Sequence, residues 1–504
     1  MSTDDRHFPA IIAFGLWVLL VHASCGLGDA QGPALCESTC LTANDGVCDD
    51  GGAGAAFDNC EYGTDCNDCG ERFAGEAPTA PLSVAPVCDN TCPHAHDGVC
   101  NDGSGQQSFP LCSPGSDCAD CGPREDIQAC ENDADCGLWH ICGLKGRCQE
   151  PEFEDHTEHL PLFEREVRAG DLTQAAFELP AGVSSAFVVI EAASSRDGLT
   201  LQRVFDPRDR FIFDAEAPEN DRIKVFPRES GGQLVIYLHN TPDLTLLAGE
   251  YGLQFTTTWP TEVRASVLVK RLPREPRGAR LQVNLWFADD TLVDADNAPY
   301  DTNFQLALRE LRSLYARKRI NIHRVTYQNL AEGHARALSV PQGVDSMCAN
   351  MRDALSETTL PGVNLVIASH FASGGLLGAS CGIPGIPSWP GLSRSGVGVA
   401  GYLIFEDPQL AGHVMAHEMG HYLGLFHTTE LDGMNFDPIH DTPQCTISYD
   451  TNFNGILSAD ECAYRGGGDN TMFWTLPSSD AFTQKKTSPG QRHVLMRNPM
   501  VETY

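Results

Sequence analysis

The chain of 504 residues has few basic side chains for its size. It contains 34 Lys and Arg against 68 Asp and Glu, and its formal net charge is -34. Such a charge repels polyanions, so we expect no nucleic-acid partner and no electrostatic attraction to an anionic membrane surface. Many of its Asp and Asn residues fall within cysteine-rich segments, which makes calcium an expected ligand of part of the acidic excess.

The N-terminal part lacks an apolar run long enough to cross a bilayer as a helix. The run covers only residues 11–21, whereas a spanning helix needs about 20 apolar residues. We therefore predict that residues 1–24 are a secretion signal. Two processing sites compete, one before Cys25, which would become a lipidated N-terminus, and one after Ala30. If Cys25 is lipidated, an even number of the 21 cysteines remains, and all of these can pair in disulfides. This count favours an N-terminal lipid anchor, which would be the only membrane attachment.

Cysteine is abundant, and most of it lies before residue 150. This abundance indicates an oxidising compartment, so we predict a secreted or cell-surface protein, with an outer-membrane lipoprotein as one form of it. Residues 36–70 and 88–122 repeat six cysteines with identical gaps at a period of 52 residues. Each repeat is too small for a hydrophobic core, so three disulfides are expected to stabilise it, with pairings that the sequence leaves open.

These repeats resemble Lin-12/Notch repeats, in which Asp and Asn oxygens hold a calcium ion. The resemblance implies calcium ligation in both units, while turn capping by the same side chains is the alternative. The matching residues are Asp45, Asp49, Asp65, Asp68, Asp97, Asp102, Asp117 and Asp120. Residues 130–148 contain four further cysteines with equal gaps, which predicts a small two-disulfide cysteine knot.

The remaining chain predicts two larger domains. Residues 154–271 lack cysteine and show short alternating apolar runs between turns, which is typical of an antiparallel β-sandwich. Residues 279–504 predict an α/β catalytic domain, with strands at 281–287, 320–325 and 363–368 and helices at 303–317 and 344–355. The apolar run at 397–405 is interpreted as an edge strand that binds a peptide by β-addition. The predicted fold class is therefore multidomain.

One stretch of the last domain fits the zinc-protease pattern H-E-x-x-H-x-x-G-x-x-H. His417 and His421 lie on one helix face, and Gly424 permits a chain reversal that brings His427 to the same metal ion. Glu418 can reach a water at the open fourth position. We therefore predict a catalytic Zn(II) ion with Glu418 as the general base. His413, one turn earlier, is expected beside the site and not as a ligand.

The three-histidine pattern resembles that of the metzincins, in which a Met-containing turn lies beneath the metal. The resemblance assigns this Met-turn to Met472. Residues 441–443, 482–483 and 488–492 further resemble the pappalysin group of metzincins, whose larger members carry Lin-12/Notch repeats. The resemblance covers about residues 280–504 and implies a secreted endopeptidase with calcium-supported loops. Trp474 departs from the pattern, because pappalysins usually carry Tyr there; an indole N–H can donate to an oxyanion but cannot ligate zinc.

Residues 450–461 match the twelve-residue calcium loop of an EF-hand. The expected Ca(II) ligands are Asp450, Asn452, Asn454, Ile456 and Glu461.

The four cysteines of the catalytic domain are expected to form two disulfides. Cys445 and Cys462 bracket the calcium loop and are expected to pair with each other. Cys348 and Cys381 are then left to pair. The alternative for Cys381 is a latency cysteine that ligates zinc.

Together these features predict a secreted zinc endopeptidase that acts on protein or peptide substrates. The alternative is a calcium-dependent surface-binding protein with a vestigial protease domain. The sequence leaves the substrate, the cleavage-site preference and the oligomeric state open.

Overall fold

The computed structural model describes residues 34–36, 64–70, 72–73, 141–142, 148–149, 153, 155–218, 221–226, 228–229, 231–334, 338, 343–371, 376–463, 465–477 and 484–504. The chain divides into two compact units. One is formed by Met1–Leu138 and Cys142–Cys148, the other by Trp139–Ile141 and Gln149–Tyr504. Within the described ranges, none of the helices has the length and apolarity that crossing a membrane requires.

The described part of the first unit is small. Strand β1 (Ala34–Leu35) pairs antiparallel with β2 (Arg72–Phe73), and helix α1 (Cys66–Cys69) lies between them in sequence. A disulfide joins Cys36 to Cys66, within the first predicted repeat. Asp65 is fully buried at the start of α1. The predicted secretion signal, Cys25, the second repeat and most of the cysteine knot lie outside the described residues; β3 (Ile141–Cys142) and β4 (Cys148–Gln149) pair at the knot's end.

Two antiparallel sheets form the first part of the second unit. The outer sheet has the order β10-β8-β12-β6, with β9 paired to β8, and the inner sheet has the order β11-β7-β13-β5. The strands are β5 (His156–Val167), β6 (Thr173–Leu179), β7 (Ser185–Ala192), β8 (Leu199–Phe205), β9 (Phe211–Asp214), β10 (Arg228–Glu229), β11 (Gln233–Tyr237), β12 (Gly249–Thr257) and β13 (Thr261–Arg271). This region is the predicted β-sandwich.

Side chains of the inner sheet alternate between two hydrophobic cores, as the period of a strand requires. Val188 and Val267 belong to the core between the two sheets. Phe187, Tyr237 and Leu268 point the other way, into the core of the α/β domain. All of β7 is buried for this reason. The sandwich and the α/β domain are therefore adjacent layers of one folded unit.

The α/β domain is built on a mixed sheet with the order β15-β14-β16-β18-β17, in which β17 and the added strand β19 are antiparallel to their neighbours. The helices α2 and α5 pack on each other, and α5 packs on β17 and β18. The elements are β14 (Ala279–Phe287), α2 (Thr302–Arg317), β15 (Ile320–Asn329), α3 (Val344–Ala354), β16 (Val363–Ala368), β17 (Gly378–Ser380), β18 (Val397–Ala400), α4 (Leu403–Glu406), α5 (Pro408–Tyr422), α6 (Pro489–Met496) and β19 (Glu502–Thr503). The five elements predicted between residues 281 and 368 are confirmed.

The interpretation of residues 397–405 as an edge strand is wrong. Strand β18 lies between β16 and β17, and all of its residues are buried. Its apolar run is needed because both faces and both edges are covered. The edge is instead the short strand β17, which among the described residues pairs with β18 alone.

Two disulfides form as predicted in the α/β domain. Cys348 on α3 is joined to Cys381, the residue after β17, so the edge strand is tied to a helix. Cys381 is therefore not a free latency cysteine. Cys445 is joined to Cys462 around the predicted calcium loop, and both lie in a small core with Leu457 and Phe473.

Candidate metal centre

Helix α5 carries the first two histidines of the zinc pattern. Asp407 caps its start, where its side chain accepts a hydrogen bond from the Leu410 N–H, and Pro408 occupies the first turn. The chain reverses at Gly424, whose φ of 111° is accessible to glycine. A Cβ at this position would also lie 2.8 Å from the ring of Tyr237 on the inner sheet. Glycine is required here for both reasons.

The reversal brings the three predicted ligands together. The Nε2 atom of His427 lies 3.2 Å from that of His417 and 3.0 Å from that of His421. Within the described ranges, these three histidines are the only group of His, Cys, Asp or Glu whose ligand atoms converge as a metal ion requires, all within 4.8 Å of one another. His413 lies one turn earlier, buried and hydrogen-bonded to Gln484, outside this group.

The hydrogen bonds of the outer ring nitrogens fix the tautomers of the three rings. Nδ1 of His417 faces the Thr471 carbonyl at 2.8 Å, and Nδ1 of His421 faces the Leu425 carbonyl at 2.7 Å. A carbonyl only accepts, so both Nδ1 atoms must carry the proton. Nδ1 of His427 faces the Glu430 carboxylate at 3.0 Å and is a donor for the same reason.

It follows that three unprotonated Nε2 lone pairs face a common point. Lone pairs that converge without a proton repel each other, whereas a cation at that point satisfies all of them. The donor set of three neutral imidazoles, each with a hydrogen bond from its outer nitrogen, is the one that catalytic zinc takes. The residues present therefore fit a zinc ion.

The surroundings keep the imidazoles of His417 and His421 neutral, as metal ligation requires. Burial, together with the neighbouring His427, lowers the pKa of His417 to about 3, against the hydrogen bond to Thr471. Burial also places the pKa of His421 well below its ordinary value, with added effects of His427 and His417. Neither ring needs to lose a proton at neutral pH before it binds a metal.

Glu418 lies beside the first ligand and faces a cavity of about 230 Å³. Burial raises the pKa of its carboxyl to about 8, although a hydrogen bond from the Ser380 backbone lowers it. Gly378 on β17 lies against the same helix, and a Cβ there would come within 2.8 Å of the Glu418 side chain. The edge strand, the carboxyl group and the cavity are therefore adjacent.

Met472 lies beneath the histidines, as predicted for the Met-turn. A Cβ on Gly420 would come within 2.4 Å of its sulfur, so the turn packs directly on helix α5. The preceding residue accepts the His417 ring N–H, and the Met472 carbonyl accepts the Thr428 N–H at 3.0 Å. The turn thus holds the segments that carry the first and third histidines.

A polar network behind the turn was not predicted as such. The Asn470 and Gln491 amides bond each other in both directions, and the Asn470 Oδ1 also accepts the Met472 N–H. Gln491 belongs to the capping box of α6 with Ser488, whose hydroxyl donates to Asp441. Asp441, Ser488 and Gln491, which belong to the segments of the family resemblance, therefore lie together and support the turn.

Glu430 is a site residue that the sequence analysis missed. Its carboxylate is the partner of the His427 ring, three residues away. An acidic residue shortly after the third histidine was the available signal. It was not distinctive, since acidic residues are common in this chain.

The indole N–H of Trp474 does not face the site. Its Nε1–H donates to the Leu457 carbonyl at 2.8 Å. The expectation that this N–H is available to an oxyanion is therefore wrong, because a carbonyl of the calcium loop already occupies it. The ring itself lines the cavity beside Glu418.

The predicted calcium loop is closed by its own side chains. Glu461 accepts hydrogen bonds from Thr451, Asn452 and Ser458, and Asp450 accepts the Gly455 N–H at 2.8 Å. Asn452 and Asn454 each accept a backbone N–H two residues on, the second that of Ile456.

Two features of this loop fit a calcium ion. The Asp450 Oδ1 atom is buried and has no hydrogen-bond partner among the described residues. Hydrogen bonds from the Ser458 backbone and hydroxyl, followed by those of Thr451, lower the pKa of Glu461 to about 2. An ionised bidentate carboxylate and a buried unpaired oxygen are what a calcium ion takes in such a loop.

No protein-family model and no curated protein matches this sequence. Among solved structures, metalloproteinase-II from Bacteroides fragilis aligns with 36% of this chain at 13% identity and a TM-score of 0.23, and the alignment spans 60% of that protein. The lysozyme inhibitor PliG from Aeromonas hydrophila aligns with 24% of this chain and 90% of its own at 16% identity and a TM-score of 0.13. A family two carbohydrate esterase from Cellvibrio japonicus aligns with 43% of this chain and 68% of its own at 12% identity and a TM-score of 0.12. Likenesses at this level carry no argument about function, which therefore rests on the geometry of the site.

Proposed function

We propose that the protein is a secreted zinc endopeptidase that hydrolyses peptide bonds of extracellular proteins. The observation that carries the proposal is the convergence of three Nε2 atoms whose protons are held on the opposite nitrogens. Such a site leaves one coordination position for a water molecule. The packing of Met472 against helix α5 and the position of Glu418 beside a cavity support the proposal, which follows the resemblance to the pappalysin group of metzincins.

When bound, zinc supplies a positive charge that lowers the pKa of a ligated water and polarises a peptide carbonyl. His417, His421 and His427 hold the ion through Nε2. Glu418 accepts the proton of the attacking water at its carboxylate and then transfers it to the leaving amine. Its raised pKa of about 8 lies close to neutrality, and a nearby cation favours the ionised form that a base needs.

Strand β17 is the proposed binding site for the substrate backbone. It is the antiparallel edge of the sheet and lies against α5 beside Glu418. An extended peptide that pairs with this edge gains backbone hydrogen bonds without regard to its side chains. The disulfide from Cys348 to Cys381 holds the end of this edge in place.

Calcium is proposed as a second ion, held by the loop at 450–461. The disulfides at Cys348–Cys381 and Cys445–Cys462 favour an oxidising compartment. A lipid anchor at Cys25 is also proposed. Calcium ligation by the first repeat is proposed for Asp45, Asp49, Asp65 and Asp68, of which the last two lie within the described residues.

Glu418→Gln tests the reaction. The amide keeps the size of the side chain but cannot accept a proton, so kcat/KM on a denatured protein substrate should fall by about 10²–10⁴-fold. Zinc content per chain, measured by atomic absorption, should not change. The control is Glu406→Gln on the exposed side of α4, which should cleave like the wild type. Equal cleavage by Glu418→Gln would refute the mechanism, and a wild type that binds no zinc would refute the site.

A further inference from the structure

An extended segment of the β-sandwich lies against the metal centre. It comprises residues 221–226, between β9 and β10. Ile223 and Val225 are 2% and 9% exposed and belong to the sandwich core. Because side chains alternate along an extended chain, Lys224 and Phe226 point the other way. The Lys224 carbonyl also accepts a hydrogen bond from Asn240, so the segment is anchored to the sandwich at its midpoint.

Lys224 and Phe226 both contact the residue before the third histidine. The Lys224 ammonium lies 4.9 Å from the centre of the Phe426 ring, and the Phe226 ring stacks on the same ring at 5.9 Å with an interplanar angle of 13°. Phe426 is only 2% exposed. A cation over an aromatic face and a stacked ring pair are both attractive contacts. Together they fix the position of Phe426, and with it the start of the His427 side chain.

Lys224 also contacts the other end of the loop that begins at Phe426. Its Nζ donates to the Phe436 carbonyl at 2.8 Å. The ammonium therefore joins two ends of the loop at 426–436, which carries the histidine that is not on helix α5. Beside the metal centre, the Thr428 N–H of this loop also donates to the Met472 carbonyl. On its other side, the loop accepts hydrogen bonds from the Leu457 N–H and the Cys445 N–H.

The charges around Lys224 connect it to the partner of His427. Burial lowers the pKa of Lys224, and the carboxylates of Glu430 and Asp437 oppose that effect. Lys224 thus faces the carboxylate that accepts the His427 ring N–H.

We propose that Lys224, carried by the β-sandwich, is a positioning residue of the metal centre, which holds the loop at 426–436 where Glu430 orients His427. The inference rests on the proposed zinc site. It gives the sandwich a role in metal binding, beyond that of a spacer. Lys224 itself contacts neither the metal position nor the cavity beside Glu418.

Lys224→Met in the full-length protein tests this role through metal binding. The change removes the ammonium and keeps an unbranched apolar side chain. Zinc affinity, measured by competition with a chromophoric chelator, should weaken by about tenfold. This is the low end of the loss expected when a residue that supports a metal ligand is removed. The visible spectrum of the cobalt-substituted protein should also change, because it reports ligand geometry. With activity as an added readout, kcat should fall more than KM changes.

The matched control is Arg222→Met, two residues away. Arg222 pairs with Asp206 inside the sandwich, so its loss should leave zinc affinity and the cobalt spectrum as in the wild type. Lys224→Arg keeps a cation over Phe426 and should restore affinity to within about threefold. If Lys224→Met fails to fold, Lys224→Ala carries the same test, since it also removes the cation and the donor but leaves room for water at the Phe436 carbonyl.

Wild-type zinc affinity and an unchanged cobalt spectrum in a folded Lys224→Met or Lys224→Ala protein would overturn the inference. That outcome would leave the proposed protease intact. Absence of zinc binding and cleavage in the wild type would instead refute the proposed function itself, so the two failures are distinguishable.

Discussion

His427 depends on another side chain for its orientation, unlike the other two ligands. His417 and His421 donate to backbone carbonyls, which no substitution can remove. His427 donates to Glu430, and Glu430→Ala deletes that acceptor. The free ring can then rotate or change tautomer, so zinc affinity should fall by about 10–100-fold.

Chelator competition on the purified variant measures this change. Asp432→Asn is the matched control, because it removes an exposed acidic charge two residues further on but keeps the oxygen that caps the turn at Met434. Its zinc affinity should stay near the wild-type value. An unchanged affinity in Glu430→Ala would show that the loop alone orients His427.

The sequence could predict which histidines converge but not the residues that support them. The spacing of His417 and His421 follows from helix geometry, and Gly424 marks the reversal, so local rules suffice. Asn470 bonds Gln491, and Lys224 bonds Phe436, each across a long separation in the chain, and no local pattern records those contacts. Residues that act through contacts with distant segments could therefore not be predicted from the sequence.

At the scale of elements, helices and buried strands were predictable from their periodicity, but their order in a sheet was not. Residues 397–400 form a buried strand whose apolar run fits an interior or an edge position equally well. The three-residue strand β17 carries too little pattern to be recognised, yet it takes the edge. The apolar pattern of a strand indicates that it is buried. The order of the strands in the sheet determines which strand a substrate can reach.

The calcium loop is an element whose occupancy should affect its neighbours. Leu457 at its eighth position accepts the Trp474 indole N–H, and Trp474 follows the Met472 turn by two residues. We expect calcium to raise the melting temperature of the wild type, because a ligand that binds only the folded state stabilises it. Glu461→Gln should abolish most of that increase, since it removes the bidentate carboxylate.

Differential scanning calorimetry with calcium and with a chelator measures this effect. Asp460→Asn, at a loop position that supplies no ligand in the EF-hand pattern, should keep the wild-type response. A calcium-induced rise of equal size in Glu461→Gln would place the ion elsewhere.

For the molecule as a whole, the sandwich and the α/β domain depend on each other. Lys270 of the inner sheet is fully buried, forms an ion pair with Asp155 at 2.9 Å and donates to the carbonyls of Met496, Asn498 and Val501 at the end of α6. Burying a lysine is costly unless each of its donors is satisfied, as here. This contact fixes the C-terminal segment. It thereby also fixes helix α6, which holds the Met472 turn beneath the three histidines.

The same interface should make the protein less stable in acid. His239 of the sandwich and His493 of α6 face each other with Nε2 atoms 2.7 Å apart. Burial lowers the pKa of His239 to about 3, with added effects of His493 and Arg497; burial and Arg497 lower that of His493 to about 4, against Glu275. Between these values and about 6.5 the unfolded chain binds more protons than the folded protein. Stability is therefore full above about pH 6.5 and is lost as the pH falls toward 4.

His239→Phe keeps the stacked ring but cannot take up that proton. In urea unfolding of the metal-free proteins between about pH 4 and 6.5, the slope of the unfolding free energy against pH should be smaller in the variant by about 1.4 kcal/mol per pH unit. Contributions from His417 and His421 are common to both proteins and cancel in the difference. Parallel curves for the two proteins would mean that the interface accepts the proton without cost, and that its acid sensitivity lies elsewhere.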